Sequence, residues 1–206
     1  MNTSQSPSPQ RYSAPAMLLH WVLALAIFAS LGVGLYMTGL PFSMARLKLY
    51  NWHKWAGIVI LVLSVLRLLW RLWRRPPDLP RDVESAMPRW QRTAYKGTHH
   101  AMYALFVLIP LAGWAYTSAT GFPVVLFGIW PLPDFAPKDQ ALAGLLKTAH
   151  AWLAYTLMGL ITLHIAAALK HHFVNRDGLL LRMLPARRSS ELSQPSGSAR
   201  QFIQET

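Results

Sequence analysis

Four histidines lie within or at the ends of long apolar segments of this 206-residue chain: His20, His53, His150 and His164. An imidazole in hydrocarbon needs a polar partner, so histidines at such positions indicate a proton path or a bound metal centre. His150 and His164 are 14 residues apart. In a helix this spacing separates them by about 21 Å and leaves them within roughly 40° of the same face. We therefore expect two histidine levels along one helix.

The composition indicates an integral membrane protein. Hydrophobic residues make up 53% of the chain and charged residues 14%, and the mean hydropathy is positive. A bilayer core requires about 20 apolar residues per helix. Segments of this kind predict four spans, at residues 17–38, 53–72, 99–118 and 148–170. The first is longer than the apolar region of an ordinary signal peptide, so we expect it to be retained. The predicted fold class is an all-α, membrane-embedded four-helix bundle.

The absence of cysteine limits the kinds of metal and redox site that the chain can form. It excludes disulfides, iron–sulfur clusters, thiolate metal sites and covalent haem attachment. A metal must therefore be held by histidine or oxygen. The net charge of +12 does not indicate a nucleic-acid partner, because the cations lie between apolar segments and not on one face of a soluble fold.

The distribution of Lys and Arg predicts the topology. Cytoplasmic loops of membrane proteins retain positive charge. If both termini are cytoplasmic, the inner segments hold 14 of these residues. The outer segments then hold five, namely Arg46, Lys48, Lys54, Lys138 and Lys147. We therefore expect a multi-pass membrane protein with both termini on the cytoplasmic side.

With this topology the histidines form two pairs. His20 and His164 lie toward the cytoplasmic side, whereas His53 and His150 lie toward the periplasmic side. Two imidazoles at one level, without a carboxylate or a third histidine, suit the two axial positions of a b-type haem. Tetrahedral zinc needs more ligands. The interpretation is two haems per chain, one for each pair.

Arg67 lies inside the apolar run of the second predicted span. It follows His53 by 14 residues and should share the inner level with His20 and His164. A buried arginine needs an anion, and the four spans contain no Asp or Glu. A haem propionate would satisfy it. The alternative is that Arg67 extends along the helix to the cytoplasmic headgroups.

The other histidines and the tryptophans have simpler interpretations. His171 and His172 lie beyond the last apolar run and can contact lipid headgroups. His100 is assigned to the interface, and His99 is a candidate for contacting a ligand or its propionate from outside the iron. The tryptophans near the span ends are explained by the aromatic belt that membrane proteins carry at the membrane–water interface. They are Trp21, Trp52, Trp55 and Trp152.

Low-complexity segments predict the domain limits. Residues 1–15 and 187–206 are rich in Ser, Pro and Gln and are expected to be disordered tails. Residues 16–186 then form one transmembrane dihaem domain.

Three stretches resemble the bacterial cytochrome b561 family: "LLHWVLAL", "WHKWAGIVILVLSVLRLLWRL" and "HIAAALKHHFVNRDGLLLRMLP". The similarity runs from Tyr12 to Pro185. It implies four membrane helices with two b haems, with ligand histidines that match His20, His53, His150 and His164. One branch of the family oxidises superoxide and reduces ubiquinone in the bacterial inner membrane, so the resemblance implies a location in that membrane. The resemblance therefore implies a single-electron relay with ubiquinone as exchange partner and superoxide or a periplasmic protein as donor.

Two other function classes remain open at this stage. One is an electron-transfer subunit that docks a periplasmic dehydrogenase or other redox partner, and the other is a haem-free metal or proton transporter. Residues 118–146 match no family pattern, so the sequence does not identify the donor. A homodimer is compatible with the sequence.

Overall fold

The computed structural model describes residues 11–74 and 76–185. Its helices are α1 (Ala14–Thr38), α2 (Met44–Trp73), the short α3 (Arg81–Ala86), α4 (Arg89–Thr120) and α5 (Gln140–Lys170). The four long helices are each long and apolar enough to cross a membrane. The predicted all-α four-helix class is confirmed.

The long helices extend beyond the predicted spans, and side-chain caps fix the first turns of α2 and α5. Helix α2 starts at Met44, nine residues before the predicted span, and the Ser43 hydroxyl accepts a backbone N–H of its first turn. Helix α5 starts at Gln140, where the Asp139 carboxylate caps the first turn. Helix α1 starts at Ala14, inside the segment predicted to be a tail. Residues 1–10 and 186–206 lie outside the described residues, and the tail predictions there stay predictions.

The helices pack in chain order. The principal contacts join α1 to α2, α2 to α4, and α4 to α5. Helix α4 runs unbroken through the buried Pro110. At mid-height the four helices contribute a layer of buried aliphatic side chains, which we call the middle layer: Leu23, Ile27, Ile60, Leu105, Leu157 and Ile161. This layer lies between the two histidine levels.

The outward face of the bundle is apolar. Large side chains such as Leu25, Val62, Leu69 and Leu163 are more than half exposed. A soluble protein seldom leaves so much contiguous apolar surface in water. Lipid contact along the spanning helices accounts for it.

One end of the bundle, the terminal end, holds the start of α1 and the end of α5. There the chain continues through a π-helical turn (His171–Asn175) and a 3-10 turn (Leu180–Met183). The Trp21 indole donates to the Met183 carbonyl at 2.8 Å, and the buried Arg182 guanidinium donates to the Asp78 carbonyl at 2.8 Å. The segment after α5 is therefore folded back on the helix ends.

The opposite end, the loop end, carries the connection from α4 to α5. Helix α4 stops at Gly121, which has a φ of 77°. Strands β1 (Val125–Leu126) and β2 (Trp130–Pro131) then pair antiparallel as a small hairpin. Three residues, Phe127, Gly128 and Ile129, connect the paired strands, and the first two have positive φ.

Candidate functional site

The structure brings the four sequence-predicted histidines together in two pairs. The ring centroids of His20 on α1 and His164 on α5 are 6.4 Å apart. Those of His53 on α2 and His150 on α5 are 6.1 Å apart. Two imidazoles bound on opposite sides of one metal ion have centroids roughly 6 Å apart, because each metal–nitrogen bond is about 2 Å long. Both pairs therefore fit one shared iron each.

The outer pair, His53 and His150, is oriented by hydrogen bonds at Nδ1. Nδ1 of His150 is 2.9 Å from the Ile109 carbonyl, to which it donates. Nδ1 of His53 is 3.3 Å from the Ser30 hydroxyl. A ligating histidine commonly uses its second nitrogen in this way, which fixes the tautomer and the ring orientation. Nε2 is then the nitrogen left for a metal.

Two glycines make room for these rings. A Cβ at Gly34 would lie 3.2 Å from Cε1 of His53, and a Cβ at Gly113 would lie 3.0 Å from Cε1 of His150. Any side chain at these positions would push against an imidazole. The glycines on α1 and α4 thus form notches that hold the rings contributed by α2 and α5.

A cavity of about 170 Å³ lies against the outer pair, and His53 and His150 both line it. All four long helices line the cavity, and small residues such as Gly57, Ala151 and Ala154 keep it wide. Its walls are mostly aliphatic, which suits the apolar faces of a porphyrin.

The inner pair, His20 and His164, has more polar neighbours. The His99 ring lies edge-on to His164 with the centroids 5.3 Å apart. Nδ1 of His99 donates to the Tyr95 carbonyl at 2.7 Å. His99 therefore lies beside the inner pair and reaches it from α4.

Arg67 lies on α2 within electrostatic range of both His20 and His164. Its Nε donates to the Tyr103 hydroxyl at 3.2 Å, so the side chain is turned toward α4. One terminal nitrogen is buried with no hydrogen-bond partner in the described part of the chain. A buried guanidinium nitrogen without a partner is costly. The geometry therefore favours an anionic partner over extension to the headgroups.

The remaining histidines lie elsewhere. His100 is exposed, and its Nδ1 donates to the Lys96 carbonyl. His171 pairs with the Asp177 carboxylate at the terminal end, and the His172 ring packs on Phe173. Across residues 11–74 and 76–185, no group of three or more His, Cys, Asp or Glu side chains is placed to hold a metal ion. The described residues thus offer two histidine pairs and no site of the tetrahedral zinc type.

Known proteins match almost the whole chain. A family profile described as prokaryotic cytochrome b561 matches residues 11–186. The "Probable superoxide oxidase CybB" of Yersinia pestis is 34% identical over 181 residues, which covers 87% of this chain and 98% of the relative. "Cytochrome b561 homolog 2" of Escherichia coli (strain K12) is 33% identical over 178 residues, which covers 86% and 93%. "Cytochrome b561 homolog 1" of the same organism is 30% identical over 182 residues, covering 86% and 99%.

The chain belongs to the prokaryotic cytochrome b561 family. It is a multi-pass bacterial membrane protein of electron transfer, and the family implies b-type haem. The relative named as a probable superoxide oxidase supports an oxidoreductase role.

The sequence did not predict the residues that position the histidines and Arg67. Ser30 and Gly34 are four residues apart on α1 and so share a face, which is a signal that the sequence does carry. Gly113 and Tyr103 had no such signal, because their roles depend on how α4 is rotated against its neighbours.

Proposed function

We propose that the protein binds two b haems, one between His20 and His164 and one between His53 and His150. The observation that carries this proposal is the spacing of the two ring pairs, 6.4 Å and 6.1 Å, which suits two imidazoles on one iron. A haem with both axial positions filled by histidine supplies one-electron transfer and has no open position for a substrate. The Ser30 hydroxyl and the Ile109 carbonyl orient the outer imidazoles.

Arg67 binds a propionate of the inner haem in this proposal. Its unpartnered buried nitrogen supports the assignment, and the Tyr103 hydroxyl on Nε holds the guanidinium in place. A guanidinium and a carboxylate form short, charge-assisted hydrogen bonds. His99, beside His164, is the second polar side chain at this level.

The proposed reaction is oxidation of superoxide coupled to reduction of ubiquinone. Two superoxide ions each give up one electron and leave as dioxygen, and one ubiquinone takes two electrons and two protons to become ubiquinol. The name of the Yersinia pestis relative supports superoxide as donor. The cations of the loop end also support it, because they would attract a small anion: Arg46, Lys48, Lys54, Lys138 and Lys147. With both termini cytoplasmic, the loop end and the outer pair face the periplasm.

The test begins with the cofactor. Purified protein should contain two haems per chain and show the reduced α-band of bis-histidine b haem. Superoxide generated in the presence of a ubiquinone analogue should then disappear faster with the protein than without it, and one quinol should form for every two superoxide ions consumed. Protein lacking haem would refute the proposal. Haem-loaded protein that neither consumes superoxide nor reduces quinone would instead be an electron carrier for a periplasmic redox protein.

A further inference from the structure

The hairpin between α4 and α5 exposes large apolar side chains at its turn. Ile129 is 85% exposed, Trp130 70% and Phe127 60%. We call these three residues the hairpin tip. A tip in water would form a contiguous apolar patch, and such patches mark contact with another apolar surface.

The sequence around the tip is unlike that of a loop in water. Residues 121–137 read GFPVVLFGIWPLPDFAP and contain one charged residue, Asp134. Phe122 and Phe135 add exposed aromatic rings on either side of the tip. Tryptophan and other aromatic side chains are enriched where a protein crosses the membrane–water interface.

The position of the hairpin favours lipid as the apolar partner. It joins two helices that span the membrane, so it lies at a membrane surface. Its exposed side chains are large and apolar, like those on the outward face of the bundle, whose exposure lipid contact accounts for.

The backbone of the tip can also enter a poorly hydrated layer. Buried amide groups near lipid must be paired within the protein. The N–H of Ile129 donates to the Leu126 carbonyl at 3.1 Å, and that of Gly128 donates to the Val125 carbonyl at 3.1 Å. These two donors of the turn are therefore paired within the hairpin.

Trp55 of α2 holds the hairpin against the helix bundle. The Trp55 indole on α2 donates to the Val125 carbonyl at 2.7 Å, and its ring lies 5.6 Å from that of Phe127. Phe127 has a φ of 52°, a conformation that bulky residues rarely adopt. This contact with Trp55 gives a reason for phenylalanine at a turn position that usually holds Asn, Asp or Gly.

We propose that the hairpin is an interfacial anchor, with Ile129 and Trp130 inserted among the lipids of the leaflet at the loop end. The lipid headgroup layer, and not a protein, is the partner of the tip. This inference does not depend on the cofactor or on the reaction. It assigns to the connection between α4 and α5 the task of fixing the loop end against the membrane surface.

The test uses the absence of native cysteine. Ile129→Cys and Asp134→Cys each give one site for a spin label, and both positions are exposed, so neither change disturbs packing. Each labelled protein is reconstituted at full length in phosphatidylcholine–phosphatidylglycerol vesicles. Collisions of the label are then measured with dioxygen, which partitions into lipid, and with a water-soluble nickel chelate.

We expect the ratio of dioxygen to nickel collisions to be severalfold higher at position 129 than at position 134. Similar nickel access at both positions would mean that the tip lies in water and would overturn the proposal. Low access of both reagents at position 129, with dipolar broadening between labels, would mean that a second copy covers the tip. Low access of both without broadening would mean that the tip is packed on its own chain. Either result would also overturn the proposal.

Discussion

At the level of single residues, each outer imidazole has two nitrogens with separate tasks. Nδ1 is taken by a neighbouring helix, the Ile109 carbonyl for His150 and the Ser30 hydroxyl for His53. Nε2 then remains for the iron of the proposed haem. The ligands come from α2 and α5, but their orientation comes from α1 and α4, so all four long helices define this site.

Single histidine substitutions should remove one haem at a time. We expect His53→Ala or His150→Ala to lower the haem content from two per chain to one, because each breaks the outer pair alone. His20→Ala or His164→Ala should do the same for the inner pair. The haem-to-protein ratio and the reduced spectrum measure the effect. A complete haem retained in the double variant His53→Ala/His164→Ala would contradict the pairing, since one member of each pair is then missing.

Arg67 should raise the reduction potential of the inner haem. Replacing it with Leu removes a positive charge, which makes the oxidised, more positive iron relatively more stable and lowers the potential. An effective protein dielectric near 20 limits the effect. We expect a decrease of about 59 mV or less, where 59 mV corresponds to a tenfold change in a one-electron equilibrium. A redox titration that resolves both haems measures it, and the outer potential should change much less.

Two variants serve as controls for Arg67. Arg67→Lys keeps the charge and should keep most of the potential. Arg71 lies one turn nearer the terminal end and also faces the Tyr103 ring, with its guanidinium carbon 5.4 Å from the centroid. Arg71→Leu should therefore shift the inner potential less than Arg67→Leu. An unchanged inner potential in fully loaded Arg67→Leu protein would contradict the propionate assignment.

At the level of elements, the glycine notches decide how closely the helices approach the outer pair. Gly34 on α1 and Gly113 on α4 each face an imidazole at a distance that leaves no room for a Cβ. Gly32 on α1 and Gly97 on α4 have no heavy atom within 4 Å of a built Cβ. Each helix therefore offers a test position and a matched control.

Gly113→Ala should weaken haem binding at the outer site, and Gly34→Ala should do so to a smaller extent. The added methyl would force the imidazole away from its acceptor, and the ring of His150 has less space than that of His53. Gly32→Ala and Gly97→Ala should leave haem content unchanged and stabilise their helices by up to about 1 kcal/mol. Haem titration of the apoprotein measures affinity, and thermal unfolding measures stability. Equal haem affinity in Gly113→Ala and Gly97→Ala would show that the notch does not position His150.

The helices and the hairpin also show how much of the fold and of the candidate site the sequence could predict. Apolar runs predicted the four spanning helices because hydropathy reports which residues can leave water. They did not predict that α2 begins at Met44, because a capped helix continues through the interface, where hydropathy is low. The levels of His150 and His164 followed from the helical rise. The roles of Ser30, Gly113 and Trp55 did not follow, because they depend on the rotation of one helix against another and on a hairpin without regular periodicity.

At the level of the whole molecule, the two histidine pairs connect helices that are not partners in the principal packing contacts. The principal contacts run from α1 through α2 and α4 to α5. His20 and His164 link the first and last helices of this order, and His53 and His150 link α2 to α5. A ligand held by both pairs would therefore also close the bundle.

The middle layer of six aliphatic side chains separates the two histidine levels by a low-dielectric region. An electron transferred from one level to the other moves about 21 Å along the membrane normal, roughly two thirds of a hydrocarbon core of about 30 Å. A full crossing of one charge costs about 2.3 kcal/mol per 100 mV, so this transfer responds to about 1.5 kcal/mol per 100 mV. With a haem bound at each level, as proposed, electron exchange between them would therefore be electrogenic. In vesicles with an imposed potassium diffusion potential of 100 mV, we expect the ratio of reduced inner to reduced outer haem to change by about tenfold, in opposite directions for opposite polarities. If the ratio did not change with the imposed voltage, both haems would lie at the same depth in the membrane.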